Sequence, residues 1–114
     1  MNQLDRQRMF YVMQRIGCLC CRRRGYAGIP CDAHHPNIGG HAGNKRRGDD
    51  VVVGICPWHH RGVPRGGFTK AGMRLLFGPS LALEPAKFRE EFGDDDFLIA
   101  EQARLNEQYR EISL

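Results

Sequence analysis

The fold is decided by the stretch VVVGICPWHHRG, residues 51–62. Its first five residues form a β-branched run, which favours a strand over Val51–Ile55. Pro57 is well placed at the first position of a helix, so we predict a short helix that begins there. That helix carries His59 and His60 directly after Cys56. A thiol and two imidazoles so close together are typical of a metal site.

A second pair of soft ligands lies upstream, in Gly17-Cys18-Leu19-Cys20-Cys21. Cys18-x-x-Cys21 and Cys56-x-x-His59 together supply the tetrahedral sulfur and nitrogen shell that zinc prefers. The spacing therefore predicts a zinc knuckle. The remaining thiols are separate cases: we interpret Cys20 as a buried or free thiol, and Cys31 as a core residue, a spare ligand or part of a distorted site.

The other histidine pair, His34-His35, follows Cys31 in the segment Cys31–His35. Adjacent histidines on a strand point to opposite sides, so one can bind a metal while the other faces a substrate as a base. A neutral imidazole can take a proton from water, and a divalent metal beside it can stabilise charge on a phosphodiester. His34 and His35 together with His60 therefore predict a hydrolytic site. The residue types also allow a second zinc held by the four histidines, or by Cys31 with the histidine pairs.

Composition limits the architecture to one small domain of 114 residues, with 41% hydrophobic residues. A domain of this size gains from a metal staple. The chain has no apolar run of about 18 residues and no apolar segment at its start, so neither a membrane span nor a signal peptide is expected. We expect a cytoplasmic protein, in which cysteines serve as metal ligands rather than disulfides.

Charge is distributed unevenly along the chain. Residues 1–75 hold 13 Lys and Arg against 4 Asp and Glu, a net charge of +9, whereas residues 76–114 hold 4 against 9, a net charge of −5. The basic part contains every Cys and every His. This coincidence suits a polyanion such as nucleic acid, although a solvated basic face explains the charge equally well.

Weaker signals predict the rest of the fold. Thr69 is a candidate N-cap, and Asp94 to Asp96 suit the start of the final helix. The apolar stripe of that helix is interrupted by Gln102. The predicted elements are a helix over 3–15 that ends at Gly17, a strand over Gly28–Ala33, an irregular loop over 36–48, and helices over 69–77, 84–92 and about 94–112.

The ordered set of motifs resembles the HNH (ββα-metal) endonuclease superfamily. It is most similar to the bacteriophage Ref-type recombination-enhancement, RecA-dependent nucleases. The resemblance covers roughly residues 16–100. It rests on Gly17-Cys18-x-x-Cys21, Ala33-His34-His35, Gly39-Gly40-His41-Ala42-Gly43, Gly54-Ile55-Cys56-x-x-His59-His60-Arg61-Gly62 and Lys87-Phe88-Arg89-x-x-Phe92-Gly93.

The resemblance implies a role for each metal-binding side chain. His34 and His60 would hold a catalytic Mg²⁺, Mn²⁺ or Zn²⁺, and His35 would be the general base. The structural zinc would be held by Cys18, Cys21, Cys56 and His59, although His59 and His60 could exchange roles. The middle Asn of the HNH motif is not clearly present; its candidates are Asp49, Asp50, Asn37 and Asn44.

Basic residues flank the proposed site in sequence, and as a set they predict contacts to DNA phosphates. They are Arg22, Arg23, Arg24, Lys45, Arg46, Arg47, Arg61 and Arg65. A solvated turn is the alternative for residues 22–24 alone. Trp58 is interpreted as packing over the zinc shell rather than stacking on a base.

The sequence therefore predicts an α+β fold, a small ββα-metal core with a zinc knuckle and flanking helices. The single domain would comprise an N-terminal helix (1–16), the zinc and ββα core (17–62) and C-terminal helices (63–114). The predicted function is metal-dependent DNA cleavage, which the resemblance places in phage recombination on RecA-coated DNA. The alternatives are a non-catalytic zinc-stabilised DNA-binding or adaptor protein, and a two-zinc structural protein with protein partners only.

Overall fold

The computed structural model describes residues 2–36 and 51–113, with side chains described through residue 110. These residues form six helices and two short strands. In chain order they are α1 (Gln3–Ile16), α2 (Leu19–Arg23), β1 (Asp32–His34), β2 (Val53–Ile55), α3 (Pro57–Arg61), α4 (Lys70–Phe77), α5 (Pro85–Phe92) and α6 (Asp95–Ser113). The mixture of helices with a small sheet confirms the α+β class.

The two strands pair antiparallel, with Asp32 opposite Ile55, Ala33 opposite Gly54 and His34 opposite Val53. All three residues of β2 are buried, because α1, α2 and α6 pack around that strand. An added Cβ at Gly54 would come within 2.8 Å of the Met13 side chain. Only glycine therefore lets β2 approach α1 so closely.

The core is assembled from every helix and from β2. Its fully buried side chains include Met13, Ile16, Val53, Ile55, Trp58, Met73, Phe88 and Phe92. Trp58 is 2% exposed and donates its indole N–H to the Gly78 carbonyl at 3.0 Å. Its interpretation as a packing residue is confirmed.

The helix ends are set by the residues that the sequence suggested. The Thr69 hydroxyl accepts from Gly72 N–H at 2.9 Å at the start of α4, and the Asp94 carboxylate accepts from Phe97 N–H at 2.9 Å at the start of α6. Gly17 follows α1 with a φ of +80°, a conformation that favours glycine. The four long helices lie within one or two residues of their predicted bounds.

For residues 17–36, one prediction was wrong and one element was not predicted. The first strand was expected over Gly28–Ala33, but β1 spans Asp32–His34. Gly28 has a φ of +76°, and the Ile29 carbonyl accepts from Cys18 N–H at 2.9 Å, so this segment closes the cysteine turn instead of joining the sheet. The same region holds the short helix α2, which the sequence did not predict.

Strand β2 is shorter than the predicted Val51–Ile55. Its first paired residue is Val53, opposite His34 at the end of β1. None of the helices in the described residues is long and apolar enough to cross a bilayer. The loop predicted over 36–48 lies almost wholly outside the described residues, as do His41 and the candidates for the middle Asn.

Candidate metal centre and histidine face

Four predicted ligands meet at a buried centre formed by the start of α2 and the start of α3. The ligand atoms of Cys18, Cys21, Cys56 and His59 all lie within 4.8 Å of one another, and the four residues are buried. No other group of three or more such ligands comes together in the part of the chain that the structure describes. The four side chains could hold a metal ion such as zinc.

Each cysteine-containing turn has the same local construction. Cys18 is the N-cap of α2, and its sulfur accepts from Cys21 N–H at 3.4 Å; Cys56 is the N-cap of α3, and its sulfur accepts from His59 N–H at 3.5 Å. A ligand three residues after each N-cap returns to the same side of the helical turn. The three-residue spacing therefore produces two ligand pairs, Cys18 with Cys21 and Cys56 with His59, that face each other.

The distances between ligand atoms fit a tetrahedral ion. Sulfur–sulfur separation is 3.7 Å between Cys21 and Cys56, and the His59 Nδ1 atom lies 3.5, 3.6 and 3.3 Å from the sulfurs of Cys18, Cys21 and Cys56. A tetrahedral zinc ion with bonds of about 2.3 Å to sulfur and 2.0 Å to nitrogen requires edges of about 3.5 to 3.8 Å. These four separations are close to those edges, which favours a tetrahedral zinc site.

A hydrogen bond at Nε2 of His59 determines that Nδ1 is the ring nitrogen available to a metal ion. Nε2 lies 2.7 Å from the Phe77 carbonyl at the end of α4. A carbonyl only accepts, so Nε2 carries the proton and Nδ1 presents its lone pair to the sulfurs. Two hydrogen bonds, from Trp58 to Gly78 and from His59 to Phe77, thus connect the end of α4 to the helix that carries His59.

Burial and hydrogen bonds between the thiols of the centre shift their pKa values in different directions. Burial raises the pKa of Cys18, and hydrogen bonding with Cys18 raises the pKa of Cys21. The pKa of Cys56 is lowered, because its thiolate accepts hydrogen bonds from Cys18 and Cys21. A divalent cation favours thiolates, so ion binding at this centre would be coupled to proton release.

Arg65 adds a cation beside the centre. It donates from Nη2 to the Cys21 sulfur at 3.1 Å, and its guanidinium carbon lies 4.4 Å from the centre of the Phe77 ring. Arg65 was predicted to contact DNA phosphates, but in this structure its guanidinium is directed at the Cys21 sulfur.

The two thiols with open assignments lie outside the cluster. Cys20 is buried and is not among the four clustered ligands. Cys31 is also buried, which raises its pKa to about 11, and its sulfur contacts the Met13 carbonyl at 3.8 Å. All five cysteines are free thiols in this structure.

A second constellation, here called the histidine face, consists of Asp32 and His34 on β1 and His60 and Arg61 on α3. The rings of His34 and His60 meet edge to face, with centroids 4.9 Å apart. His60 Nδ1 lies 3.4 Å from the Asp32 carboxylate, which also accepts from Arg61 Nε at 2.9 Å. All four residues are partly or well exposed to solvent.

The histidine face brings together the two predicted catalytic metal ligands and separates His59 from His60. His59 is wholly buried and turns inward to the cysteines, whereas His60 is half-buried and turns to β1. His35 follows β1 directly and is half-buried. Asp32 was missed by the sequence analysis, although residues two apart on a strand share a face and Asp32 precedes His34 by two.

The predicted DNA-contacting arginines of α2 have partners within the protein. Arg22 donates to the Tyr109 hydroxyl at 3.2 Å, and the Arg23 guanidinium lies 5.3 Å from the Phe97 ring centre. Arg24 forms two hydrogen bonds of 2.6 Å with Glu91 on α5. Lys45, Arg46 and Arg47 lie outside the described residues.

A family model described as "Recombination enhancement, RecA-dependent nuclease" matches residues 3–107. The chain belongs to this family. Neither the curated proteins nor the solved structures contain a match to it. Members of this family are named as nucleases in recombination, and the matched range includes both the metal centre and the histidine face.

Proposed function

We propose that this protein is a metal-dependent DNA endonuclease of the HNH (ββα-metal) type. It would be of phage origin and act in the bacterial cytoplasm during recombination, on DNA coated by RecA. The observation that carries the proposal is the histidine face, where His34 and His60 approach each other at the junction of β1 and α3. Membership of a family named for RecA-dependent nuclease activity supports it.

The two metal positions have different tasks in this proposal. Zinc held by Cys18, Cys21, Cys56 and His59 would stabilise the fold, because a closed shell of four buried ligands leaves no position for substrate. His34 and His60 would hold a Mg²⁺, Mn²⁺ or Zn²⁺ ion at a half-exposed position. Such an ion supplies charge neutralisation for the scissile phosphate and the leaving oxygen.

The protein's own groups would supply the remaining chemistry. His35 would take the proton from the attacking water, for which a neutral imidazole is suited near neutral pH. Basic side chains would place the DNA backbone across the histidine face. Of the eight predicted ones, Arg24 is held by the Glu91 carboxylate and Arg65 by the Cys21 sulfur, whereas the partners of Arg22 and Arg23 are uncharged and Arg61 is 54% exposed. We therefore propose that the DNA is contacted by Arg22, Arg23, Lys45, Arg46, Arg47 and Arg61.

The proposal is tested by substituting His35→Ala and measuring nicking with Mg²⁺ or Mn²⁺ on single-stranded, duplex and RecA-coated DNA. We expect cleavage to fall by roughly 10²- to 10⁴-fold, the usual contribution of a general base, while DNA affinity and melting temperature stay unchanged. Unchanged nicking by the variant would show that His35 is not the base.

A non-catalytic zinc-stabilised DNA-binding or adaptor protein is the second candidate. It is favoured by one observation: among the described residues, only the buried Cys/His centre brings three or more ligand atoms together. If the wild-type protein binds DNA but cleaves none of the three substrates with any of the metals, with RecA and ATP present or absent, this second function replaces the first.

A further inference from the structure

We propose that Asp32 is a positioning residue that fixes the ring of His60 with its proton on Nδ1, so that Nε2 is the nitrogen presented to a metal ion or phosphate. This inference rests on the proposed function, because it concerns how one of its metal-binding histidines is oriented. Asp32 itself would touch neither the DNA nor the ion.

The contact geometry supports this role. Asp32 and His34 lie on the same side of β1 and face α3, whose first turn carries His60. The Asp32 Oδ2 atom is 3.4 Å from His60 Nδ1. A carboxylate accepts only, so the nitrogen facing it carries the proton, and the lone pair is left on the opposite side of the ring at Nε2.

Arg61 holds the carboxylate in place from the other side. Its Nε donates to the same Oδ2 atom at 2.9 Å, while its own side chain is 54% exposed. One carboxylate oxygen therefore lies within hydrogen-bond distance of both His60 and Arg61. A direct metal contact from Asp32 is disfavoured, because a cation at Oδ2 would compete with Arg61.

The same logic operates at the buried centre, where the Phe77 carbonyl accepts from one nitrogen of His59 and leaves the other for the cysteines. The ligand nitrogens are opposite: Nδ1 for His59 and Nε2 for His60. Partners that orient a metal-binding histidine commonly contribute about 10- to 100-fold in metal affinity or activity. The Phe77 carbonyl would thus direct His59 to the buried metal, and the Asp32 carboxylate would direct His60 to the exposed one.

The test measures the protonated nitrogen of His60 directly. Long-range ¹H–¹⁵N spectra of the zinc-loaded full chain, at a pH above the ordinary histidine range, report which ring nitrogen carries the proton. We expect Nδ1–H in the wild type and in Asp32→Asn, whose amide oxygen still accepts. In Asp32→Ala the proton should shift to Nε2, and the Mn²⁺ concentration needed for half-maximal nicking should rise about 10- to 100-fold.

Arg61→Ala is the matched control, since it removes the other half of the Asp32 contact. It should keep the Nδ1–H form of His60, which separates positioning of the ring from loss of the ion pair. The inference is overturned if wild-type His60 carries its proton on Nε2, or if Asp32→Ala leaves the protonated nitrogen unchanged.

The two proposals fail in different ways. If the wild type cleaves DNA but the protonated nitrogen of His60 is the same in Asp32→Ala, then Asp32 has no positioning role and the nuclease proposal stands. If the His60 proton shifts to Nε2 in Asp32→Ala but the wild type cleaves no DNA under any condition, then the positioning role stands and the nuclease proposal fails. If the alanine variant does not fold, the wild-type spectrum still decides, because a proton on Nε2 of wild-type His60 overturns the inference and a proton on Nδ1 supports it.

Discussion

His59 is engaged at both ring nitrogens, and this decides the division between the two adjacent histidines. Its Nδ1 faces three sulfurs and its Nε2 faces the Phe77 carbonyl, while the His60 ring meets His34 on the outer side. The sequence could not make this choice, because the two residues occupy one short helical turn. The buried acceptor at the end of α4, 18 residues later, makes it.

The metal centre is expected to be required for folding, which substitution of single thiols can test. Cys18→Ser removes a ligand but keeps a side-chain acceptor at the N-cap of α2, where serine is a preferred residue. Structural zinc contributes about 10–16 kcal/mol in small zinc domains, comparable with the whole stability of a domain, so the variant should not fold. Circular dichroism and zinc content provide the measurement.

Two comparisons make this result specific. Cys20→Ser is the matched control, since it makes the same change at a buried thiol of the same helix outside the ligand cluster. It should keep its zinc and lose about 1–3 kcal/mol from burying a hydroxyl. His34→Ala should melt close to the wild type. Equal losses in Cys18→Ser and His34→Ala would contradict the division into a structural and a catalytic site.

At the scale of the elements, β2 depends on a polar side chain from α6. Gln102 is 2% exposed, and its Oε1 atom accepts from Gly54 N–H at 2.8 Å, while its Nε2 donates to Asn106. The interruption in the apolar stripe of α6 is therefore a contact between helix and strand. It satisfies a backbone donor of β2 that would otherwise be buried without a partner.

Gln102→Leu should lower the free energy of unfolding by about 1–3 kcal/mol, because it leaves the Gly54 N–H buried without an acceptor. Denaturant unfolding followed by circular dichroism measures the change. Gln108→Leu, on an exposed position of the same helix, should change it by less than about 0.5 kcal/mol. Equal stability of the Gln102 variant and the wild type would mean that water or another group replaces the amide.

The elements show where sequence reasoning succeeds. Helices with a capping residue, such as Thr69 or Asp94, were placed correctly because the signal is local. The first strand was misplaced, because Gly28 and Ile29 are recruited by Cys18 across a turn that periodicity does not encode. The four ligands of the centre were predictable from spacing. Strand periodicity could have placed Asp32 on the same face as His34, but its contact with His60 appears only when β1 meets α3.

At the scale of the whole molecule, the opposite charges of the two halves meet. Arg24 of the basic half forms its two hydrogen bonds with Glu91 of the acidic half, and this contact holds the pKa of the Glu91 carboxyl below its usual range. Arg22 likewise reaches Tyr109 on α6. Part of the positive charge that the sequence assigned to nucleic acid therefore joins α2 to the C-terminal helices.

This internal use of charge sets the expected salt dependence of DNA affinity. Phosphate contacts release counterions, and each contributes about −0.9 to the slope of log affinity against log salt on duplex DNA. Six contacting residues give a slope of about −5, which fluorescence anisotropy over a range of NaCl concentrations would measure. Lys45→Ala should make the slope shallower by about one, whereas Arg24→Ala should leave it unchanged. A flat slope would count against the basic residues as contacts to DNA phosphates, and an equal effect of the two substitutions would mean that Arg24 contacts DNA as well.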